Sequence, residues 1–198
     1  MKRCVLRQGL DATTLRDVGR EAGFTTGVIT HHFPDKEAVV RACFETVSSD
    51  WIGGVELRMS RAPSVRDKFV ELVRIALPLE AEERQEWRLW AEMWAYAGIH
   101  PEFVPVLIEV DARWEQQVLR LLYEARGAEL LRPDVDVEAQ AGILVRLVDG
   151  LGLRSWLTGG WGPARRQLAH HLASLMSDPE AENRLLELAE RPLVEPAR

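Results

Sequence analysis

Residues 25–36 bring together side chains that suit contacts with DNA. Thr25, Thr26, Gly27 and Thr30 give one face of a short predicted helix a small, polar character. Hydroxyl groups of this size can contact base edges or thymine methyl groups in the major groove, and a glycine lets the backbone approach closely. Imidazole and ammonium groups can donate hydrogen bonds to phosphate, and those nearby are His31, His32 and Lys36.

The helix before this segment carries its own start and stop signals. Thr14 followed three residues later by Asp17 predicts a variant of the capping box, and Gly23 predicts the end of the helix. The face predicted to turn inward consists of Leu15, Val18, Gly19 and Ala22.

A second short helix follows at once. Thr25 is its predicted N-cap, and Pro34 ends it because proline lacks the N–H and clashes with the preceding turn. Its predicted inward residues are Val28, Ile29 and Phe33. A helix, a tight break and a second helix of about eight residues form the helix-turn-helix spacing, in which the first helix braces the second in the major groove.

The stretch from Thr14 to Ala38 resembles the DNA-binding signature of the TetR-type repressors over 25 contiguous positions. The resemblance implies a ligand-responsive transcriptional regulator, expected to be a repressor, that binds a palindromic operator as a homodimer and releases it when a small molecule binds. Carried over position by position, it implies base-region contacts from Thr25, Thr26, Gly27 and Thr30. The phosphate contacts that it implies are Thr14, His31, His32 and Lys36.

Two features depart from that family. Only eight residues precede Gly9, so either the true N-terminus lies upstream of Met1 or the first helix is reduced to about two turns. A short first helix would weaken support for the helix-turn-helix, which leaves open a helical ligand-binding or adaptor protein with impaired DNA binding. In addition, Thr30 and His32 replace residues that are usually aromatic in the family.

Helical periodicity runs through nearly the whole chain, and no segment shows the sustained alternation of a half-buried strand, so the sequence predicts an all-α protein. We expect a helix-turn-helix domain over residues 1–50 and a helical ligand-sensing and dimerisation domain over residues 51–198. The later helices are predicted over about 35–59, 64–77, 80–97, 101–125, 137–157, from 164 onward and over 180–190, with 192–198 frayed. Segments 77–79, 86–90 and 147–154 resemble the BetI-type regulators, which supports a sensing domain of that subgroup.

The predicted helix over residues 137–157 is apolar on almost every side, and such a helix must be buried on more than one face. Its own domain can cover one face, and the other predicts a two-fold partner in an intermolecular four-helix bundle formed with the helix that follows. Gly150 within it predicts close packing of helix backbones. The predicted interface residues are Leu144, Leu147, Val148, Leu151, Leu168, Leu172 and Leu175.

Aromatic residues recur at helical spacing after residue 86. One interpretation is a cage for a cationic ligand, completed by Glu86 or Glu92. The preferred interpretation is ordinary core packing beside a mixed apolar pocket, because aromatic residues at this spacing usually face a core. The candidate pocket residues are Trp87, Trp90, Trp94, Phe103 and Trp114.

The formal net charge of −6 is unevenly distributed along the chain. Residues 1–45 hold seven Lys/Arg against six Asp/Glu, whereas the remainder holds 18 against 25. The acidity therefore lies outside the segment expected to bind DNA. Local neutralisation of phosphates governs DNA affinity, so the overall charge does not exclude it.

Several classes of function lack their signatures. The sequence has no nucleophile elbow, phosphate loop or paired-metal spacing, so we expect no enzymatic activity and no cofactor. Cys4 and Cys43 belong to no ligand-spaced pair, and the adjacent His170 and His171 point apart on a helix, so neither a disulfide nor a metal site is expected. No apolar run approaches the roughly 20 residues of a membrane-spanning helix, and no signal-type stretch follows Met1, so we expect a cytoplasmic protein without membrane contact.

Overall fold

The computed structural model describes residues 1–191, among which no strand occurs, so the all-α prediction is confirmed. The segment 192–198, predicted to be frayed, lies outside the described residues. A short 3₁₀ helix over Pro101–Phe103 precedes the eighth α-helix. The α-helices are α1 (Lys2–Gln8), α2 (Leu15–Ala22), α3 (Thr26–His32), α4 (Lys36–Arg61), α5 (Val65–Ala76), α6 (Ala81–Arg84), α7 (Glu86–Ile99), α8 (Val104–Gly127), α9 (Val137–Thr158), α10 (Trp161–Leu175) and α11 (Pro179–Ala189).

The helices divide into two compact units. The first contains residues 1–52 and 85–110, and the second contains residues 53–84 and those from 111 onward. The predicted domain division after residue 50 stays a prediction. The unit that holds the helix-turn-helix also contains α7, which lies more than 30 residues beyond that division.

The first unit has two apolar clusters. The larger one joins α1, α4 and α7, and its buried members include Val5, Leu10, Val40, Phe44 and Met93. The smaller one consists of Val18, Ile29 and Val39, one residue each from α2, α3 and α4. Helix α7 supplies much of the apolar surface that covers the seven-residue α1.

The second unit is built around α10. Leu168 and Leu172 are fully buried, and α10 packs against α5, α9 and α11. The Arg66 guanidinium donates to the Asp178 carboxylate at 2.7 Å, which ties the start of α5 to the N-cap of α11. In the second unit α11 therefore packs against α5 as well as α10.

Two helix boundaries differ from the sequence predictions. The helix predicted over about 80–97 is interrupted at Gln85, which separates α6 from α7. The predicted start of α10 after Pro163 is also wrong, because α10 begins at Trp161 and Pro163 lies in its first turn. Proline is accepted there, since the first N–H groups of a helix have no intrahelical partner.

Candidate DNA interface and ligand site

Capping interactions set both ends of α2. The Thr14 hydroxyl accepts a hydrogen bond from the Asp17 N–H at 3.2 Å, and the Asp17 carboxylate accepts one from the Thr14 N–H at 3.1 Å. The predicted capping box is therefore present. The Thr14 hydroxyl also donates to this carboxylate, and this hydrogen bond is the main reason that the pKa of Asp17 is lowered. At the other end, Gly23 has a φ of +74°, a conformation that favours glycine and that ends α2 as predicted.

Gly19 lies where α2 meets the start of α3. A β-carbon at this position would lie 3.0 Å from the carbonyl oxygen of Phe24 and 3.4 Å from Cγ1 of Ile29. The glycine is therefore needed for space, since its own backbone is ordinary helix. The close approach of the two helices depends on the absence of a side chain at residue 19.

The residues predicted to contact bases all lie on the surface. Thr25, Thr26, Gly27 and Thr30 are exposed. The Thr25 side chain caps α3 by accepting a hydrogen bond from the Val28 N–H at 3.4 Å. The Thr30 hydroxyl donates to the Thr26 carbonyl at 3.1 Å, and its oxygen keeps the capacity to accept from a ligand.

Val28 was predicted to face inward, and this prediction is wrong. Its side chain is 39% exposed, whereas Ile29 is buried in the cluster with Val18 and Val39. Neighbouring residues on an α-helix point about 100° apart, and the contact of α3 with Val18 and Val39 takes up Ile29 and leaves Val28 outside it. Phe24, in the turn before α3, is 57% exposed. The candidate interface thus contains two apolar side chains, and apolar groups can contact thymine methyls.

The predicted phosphate-contacting groups have different surroundings. The Thr14 hydroxyl is already engaged in the capping box. Lys36 Nζ donates to the Asp11 carbonyl at 2.8 Å, which leaves two of its three N–H donors. His31 and His32 are exposed, and their rings meet edge to face at 5.2 Å. Phosphate contact by these four residues stays a prediction.

In the given sequence α1 has seven residues, about two turns, and it is held by α7. The Glu92 carboxylate accepts a hydrogen bond from the Leu10 N–H at 2.9 Å, and Lys2 Nζ lies 3.0 Å from a carboxylate oxygen of Glu86. Val5 is buried against the same helix. The carboxylates of Glu86 and Glu92, which sequence reasoning offered to a cationic ligand, therefore already have partners in the first unit.

Four tryptophans form a cluster in the first unit. The ring centroids lie 5.5 Å apart for Trp51 and Trp90, 6.5 Å for Trp90 and Trp94, and 6.2 Å for Trp87 and Trp94. Trp87 is buried, and the other three are half-buried. Sequence reasoning missed Trp51, because it lies on α4, and no local spacing connects it with α7.

The other two candidate pocket residues have different positions. Phe103 is fully buried between Phe44 and Tyr96, with ring centroids 5.4 and 5.1 Å away, and the Arg41 guanidinium lies 4.9 Å above its ring centre. Phe103 is thus part of the core of the first unit. Trp114 is buried in the second unit.

The predicted dimer residues fall into two groups. Leu147 and Leu151 are half-buried. The other five lie in the core of their own chain, which leaves them little surface to offer to a partner, and they are Leu144, Val148, Leu168, Leu172 and Leu175.

The opposite face of α9 carries exposed apolar side chains, with Ile143 48% and Leu157 67% exposed. A β-carbon at Gly150 would meet no other atom of residues 1–191 within 4 Å, so none of these residues accounts for the predicted close packing there.

Asp149 lies half-buried on α9 between these two faces. Burial, with a smaller contribution from the Asp111 carboxylate, raises its pKa to about 7, and the Arg146 guanidinium opposes the change. A carboxyl with a raised pKa in the folded state holds its proton more tightly when folded, so folding is favoured at low pH.

Within residues 1–191, no group of three or more His, Cys, Asp or Glu side chains is arranged to hold a metal ion. The adjacent histidines bind within the chain: His170 Nδ1 lies 2.7 Å from the Arg166 carbonyl oxygen, and His171 Nε2 lies 3.1 Å from Gln140 Oε1. None of the described helices is both long and apolar enough to span a membrane.

Comparison with known proteins identifies the family. Residues 65–177 match the family described as BetI-type transcriptional repressor, C-terminal, and residues 2–43 match the bacterial regulatory proteins of the tetR family. The HTH-type transcriptional regulator BetI of Klebsiella pneumoniae is 30% identical over 168 residues, which cover 84% of this chain and 82% of the relative. BetI of Burkholderia ambifaria is 26% identical over 179 residues, which cover 88% of each chain.

Solved structures share the fold. A transcriptional regulator from Saccharomonospora viridis, solved in complex with choline, has a TM-score of 0.78 and 23% identity, over 89% of this chain and 93% of that one. Reduced NemR of E. coli has a TM-score of 0.75 and 17% identity, over 89% and 92% of the two chains. The capped helix-turn-helix, the family matches and the relatives agree: this chain belongs to the TetR family of bacterial transcriptional regulators and carries a BetI-type C-terminal domain.

Proposed function

We propose that this regulator binds a palindromic DNA operator as a homodimer, represses transcription there, and leaves the operator when a small molecule binds. The observation that carries the proposal is the exposed face of α3. Its threonines at 25, 26 and 30 lie on the surface while Ile29 anchors the helix to α2 and α4. Because operators lie on the bacterial chromosome, we expect the protein to act in the cytoplasm.

The alternative, an adaptor with impaired DNA binding, depended on weak bracing by a short α1. Within the first unit, α7 supports the seven-residue α1 through the Glu92 bond to the Leu10 N–H and through apolar contacts with Val5. This support of α1 favours a helix-turn-helix that binds DNA over the adaptor alternative.

DNA binding is tested by fluorescence anisotropy with the duplex upstream of the protein's own gene and with a random duplex. We expect Thr26→Ala and Thr30→Ala to weaken operator binding and spare random binding, since a lost base contact costs about 1–3 kcal/mol. Thr46→Ala is the matched control: Thr46 is also an exposed helical threonine whose hydroxyl donates to the carbonyl four residues earlier. Equal affinity of the unmodified protein for both duplexes would support the adaptor instead.

Loss of a phosphate contact is expected to change DNA affinity in a different way from loss of a base contact. We expect Lys36→Ala to weaken binding to all sequences alike and to reduce the salt slope by about one unit. Lys36 also holds the Asp11 carbonyl, so thermal melting must show that the variant stays folded. An equal loss of operator and random binding in Thr26→Ala, Thr30→Ala and Lys36→Ala would contradict this division of roles.

The homodimer is proposed to form through the outer face of α9. Ile143 and Leu157 are exposed there, Leu147 is half-buried, and Gly150 offers open space for a close helix approach. We expect Ile143→Glu to shift the sedimentation coefficient toward that of a monomer. Ile99→Glu is the control, because Ile99 is 70% exposed and lies on α7. If the Ile143→Glu variant remained a dimer, the outer face of α9 would not be the dimer interface.

The effector is proposed to carry a quaternary ammonium group and to bind at the tryptophan cluster of the first unit. Half-buried indole faces attract such cations, and the related regulator from Saccharomonospora viridis was solved with choline. We expect choline to raise the melting temperature and to weaken operator binding, with a smaller effect in Trp90→Leu. Trp156→Leu, at a half-buried tryptophan of α9, is the control. No stabilisation by choline, other quaternary amines or polyamines would exclude this effector class.

A further inference from the structure

The second unit contains an arginine-rich cleft that the proposed function does not use. The cleft has a volume of about 460 Å³ and lies between the end of α4, α5 and α11. This volume falls in the range of about 300–1,000 Å³ that is typical of small-molecule sites. The five arginines that line it are Arg58, Arg61, Arg74, Arg184 and Arg191.

Three of these arginines form ion pairs, with Asp67 and Glu71 in the cleft lining and with Glu83 outside it, 3.5 Å from the Arg58 guanidinium. The Arg184 guanidinium lies 2.7 Å from the Asp67 carboxylate. The Glu71 carboxylate lies 2.8 Å from the Arg74 guanidinium and 3.1 Å from that of Arg58. These ion pairs fix the side chains that form the wall and leave little charge for a ligand.

Arg61 and Arg191 differ from the other three. Neither forms an ion pair in the part of the chain that the structure describes, and both are exposed to solvent. Glu187 is the one lining carboxylate, among the described residues, that is likewise without an ion pair. The unpaired charges of the cleft therefore sum to a positive value.

A buried arginine behind the wall adds to this positive charge. Arg165 is fully buried, and its partners are backbone carbonyls: Nε donates to the Leu77 oxygen at 3.4 Å and Nη1 to the Arg191 oxygen at 3.2 Å. Its Nη2 has no hydrogen-bond partner within residues 1–191. Burial and the nearby Arg84 guanidinium lower the pKa of Arg165, as expected for a buried cation beside another cation. Arg165 thus holds the backbone of Arg191 in place and contributes uncompensated charge next to it.

We propose that this cleft is a second ligand site, which binds a small organic molecule with two or more negatively charged oxygens, that is, a phosphate ester or a polycarboxylate. Arg61 and Arg191 would form charge-assisted hydrogen bonds with these oxygens. Val70 and Leu188 provide an apolar wall for the carbon skeleton. The proposal is independent of the DNA and effector assignments, because all of its residues belong to the second unit and none belongs to α3 or to the tryptophan cluster.

The test is calorimetric titration of the full chain with pyrophosphate and with citrate, in a buffer whose ionic strength is held constant with sodium chloride. We expect saturable binding of at least one of the two anions, and the one that binds assigns the phosphate or the carboxylate class. Arg61→Gln and Arg191→Gln should each weaken binding about tenfold, as for the loss of one charge-assisted hydrogen bond. Glu187→Gln should strengthen binding a few-fold, because it removes the opposing charge.

The control is Arg120→Gln. Arg120 is an exposed arginine of α8 that forms no ion pair within the described residues, so its removal changes the net charge equally without touching the cleft. Absence of binding by both anions would overturn the proposal. An equal loss of affinity in Arg120→Gln and Arg61→Gln, or weaker binding in Glu187→Gln, would overturn it as well. All four substitutions lie at exposed positions, and melting curves without anion establish that the variants are folded.

Discussion

Replacing Gly19 with alanine tests whether the close approach of α2 and α3 sets the geometry of the DNA-reading helix. In an unconstrained helix this change stabilises the protein, because alanine exceeds glycine in helix propensity by about 1 kcal/mol. At residue 19 the added carbon would lie 3.0 Å from the Phe24 carbonyl oxygen, so the backbone of the turn must move by a few tenths of an ångström. Overpacking of this kind costs about 1–3 kcal/mol, which leaves a net loss of about 1 kcal/mol.

Gly53 supplies the matched control. It also lies inside an α-helix, on α4, and a β-carbon there would meet no atom of the described residues within 4 Å. Gly53→Ala should therefore gain the full stabilisation of about 1 kcal/mol that alanine provides in a helix. We expect it to melt about 2–4 °C above the unmodified protein. The two variants make the same chemical change and differ in the space that surrounds it.

Thermal melting and fluorescence anisotropy with the operator together test whether the contact at Gly19 sets the position of α3. We expect Gly19→Ala to melt about 2–4 °C below the unmodified protein and to bind the operator about tenfold more weakly, since a displaced α3 loses base contacts. Its affinity for random DNA should change less, because phosphate contacts tolerate small shifts. If Gly19→Ala melted above the unmodified protein, as Gly53→Ala is expected to, and kept its operator affinity, the packing argument would be refuted.

Three further predictions follow from individual contacts. Thr14→Ala removes the N-cap of α2 and should lower the free energy of unfolding by about 1 kcal/mol in denaturant titrations, and an unchanged value would mean that the cap is dispensable. Because the pKa of Asp149 rises from 3.8 to about 7 on folding, stability should fall as the pH rises through this window. Asp149→Asn should therefore gain stability at pH 8 relative to pH 4, and a gain that is equal at both would contradict the shift. Glu92→Gln weakens the bond to the Leu10 N–H and should lower both the melting temperature and the operator affinity, whereas loss of neither would show that α7 does not brace α1.

Local signals predicted the helix-turn-helix well because each depends on neighbouring residues alone. The Thr14 and Asp17 pair forms its capping box, and Gly23 adopts the left-handed conformation that ends α2. The burial of Val28 could not be predicted from neighbouring residues alone. Either Val28 or Ile29 could face the core on pattern alone, and the choice depends on Val18 and Val39, which approach from other helices.

The dimer residues show a different limit of sequence reasoning. Apolar periodicity on α9 and α10 indicates which side chains avoid water, but it does not distinguish burial within one chain from burial against a second. Leu144 and Leu168 prove to be core residues of their own chain, while Ile143 and Leu157 remain exposed. The distinction requires the packing of α10 and α11, which no single-helix pattern contains.

The tryptophan cluster and the reading helix share one structural support in the first unit. Helix α7 carries Trp90 and Trp94, and the same helix holds the Leu10 N–H through the Glu92 carboxylate. A β-carbon on Gly9, the residue before Leu10, would lie 3.3 Å from that carboxylate, so the junction between α1 and α2 is closely fitted to α7. A cation that separated the indoles would have to move residues of α7 that pack in the same cluster as Val5 and Leu10. Arg3 and Arg7 of α1 form ion pairs with Glu21 of α2, and the Glu92 carboxylate of α7 holds the Leu10 N–H. A ligand at the tryptophans that shifted α7 would therefore act on the DNA-binding helices through α1.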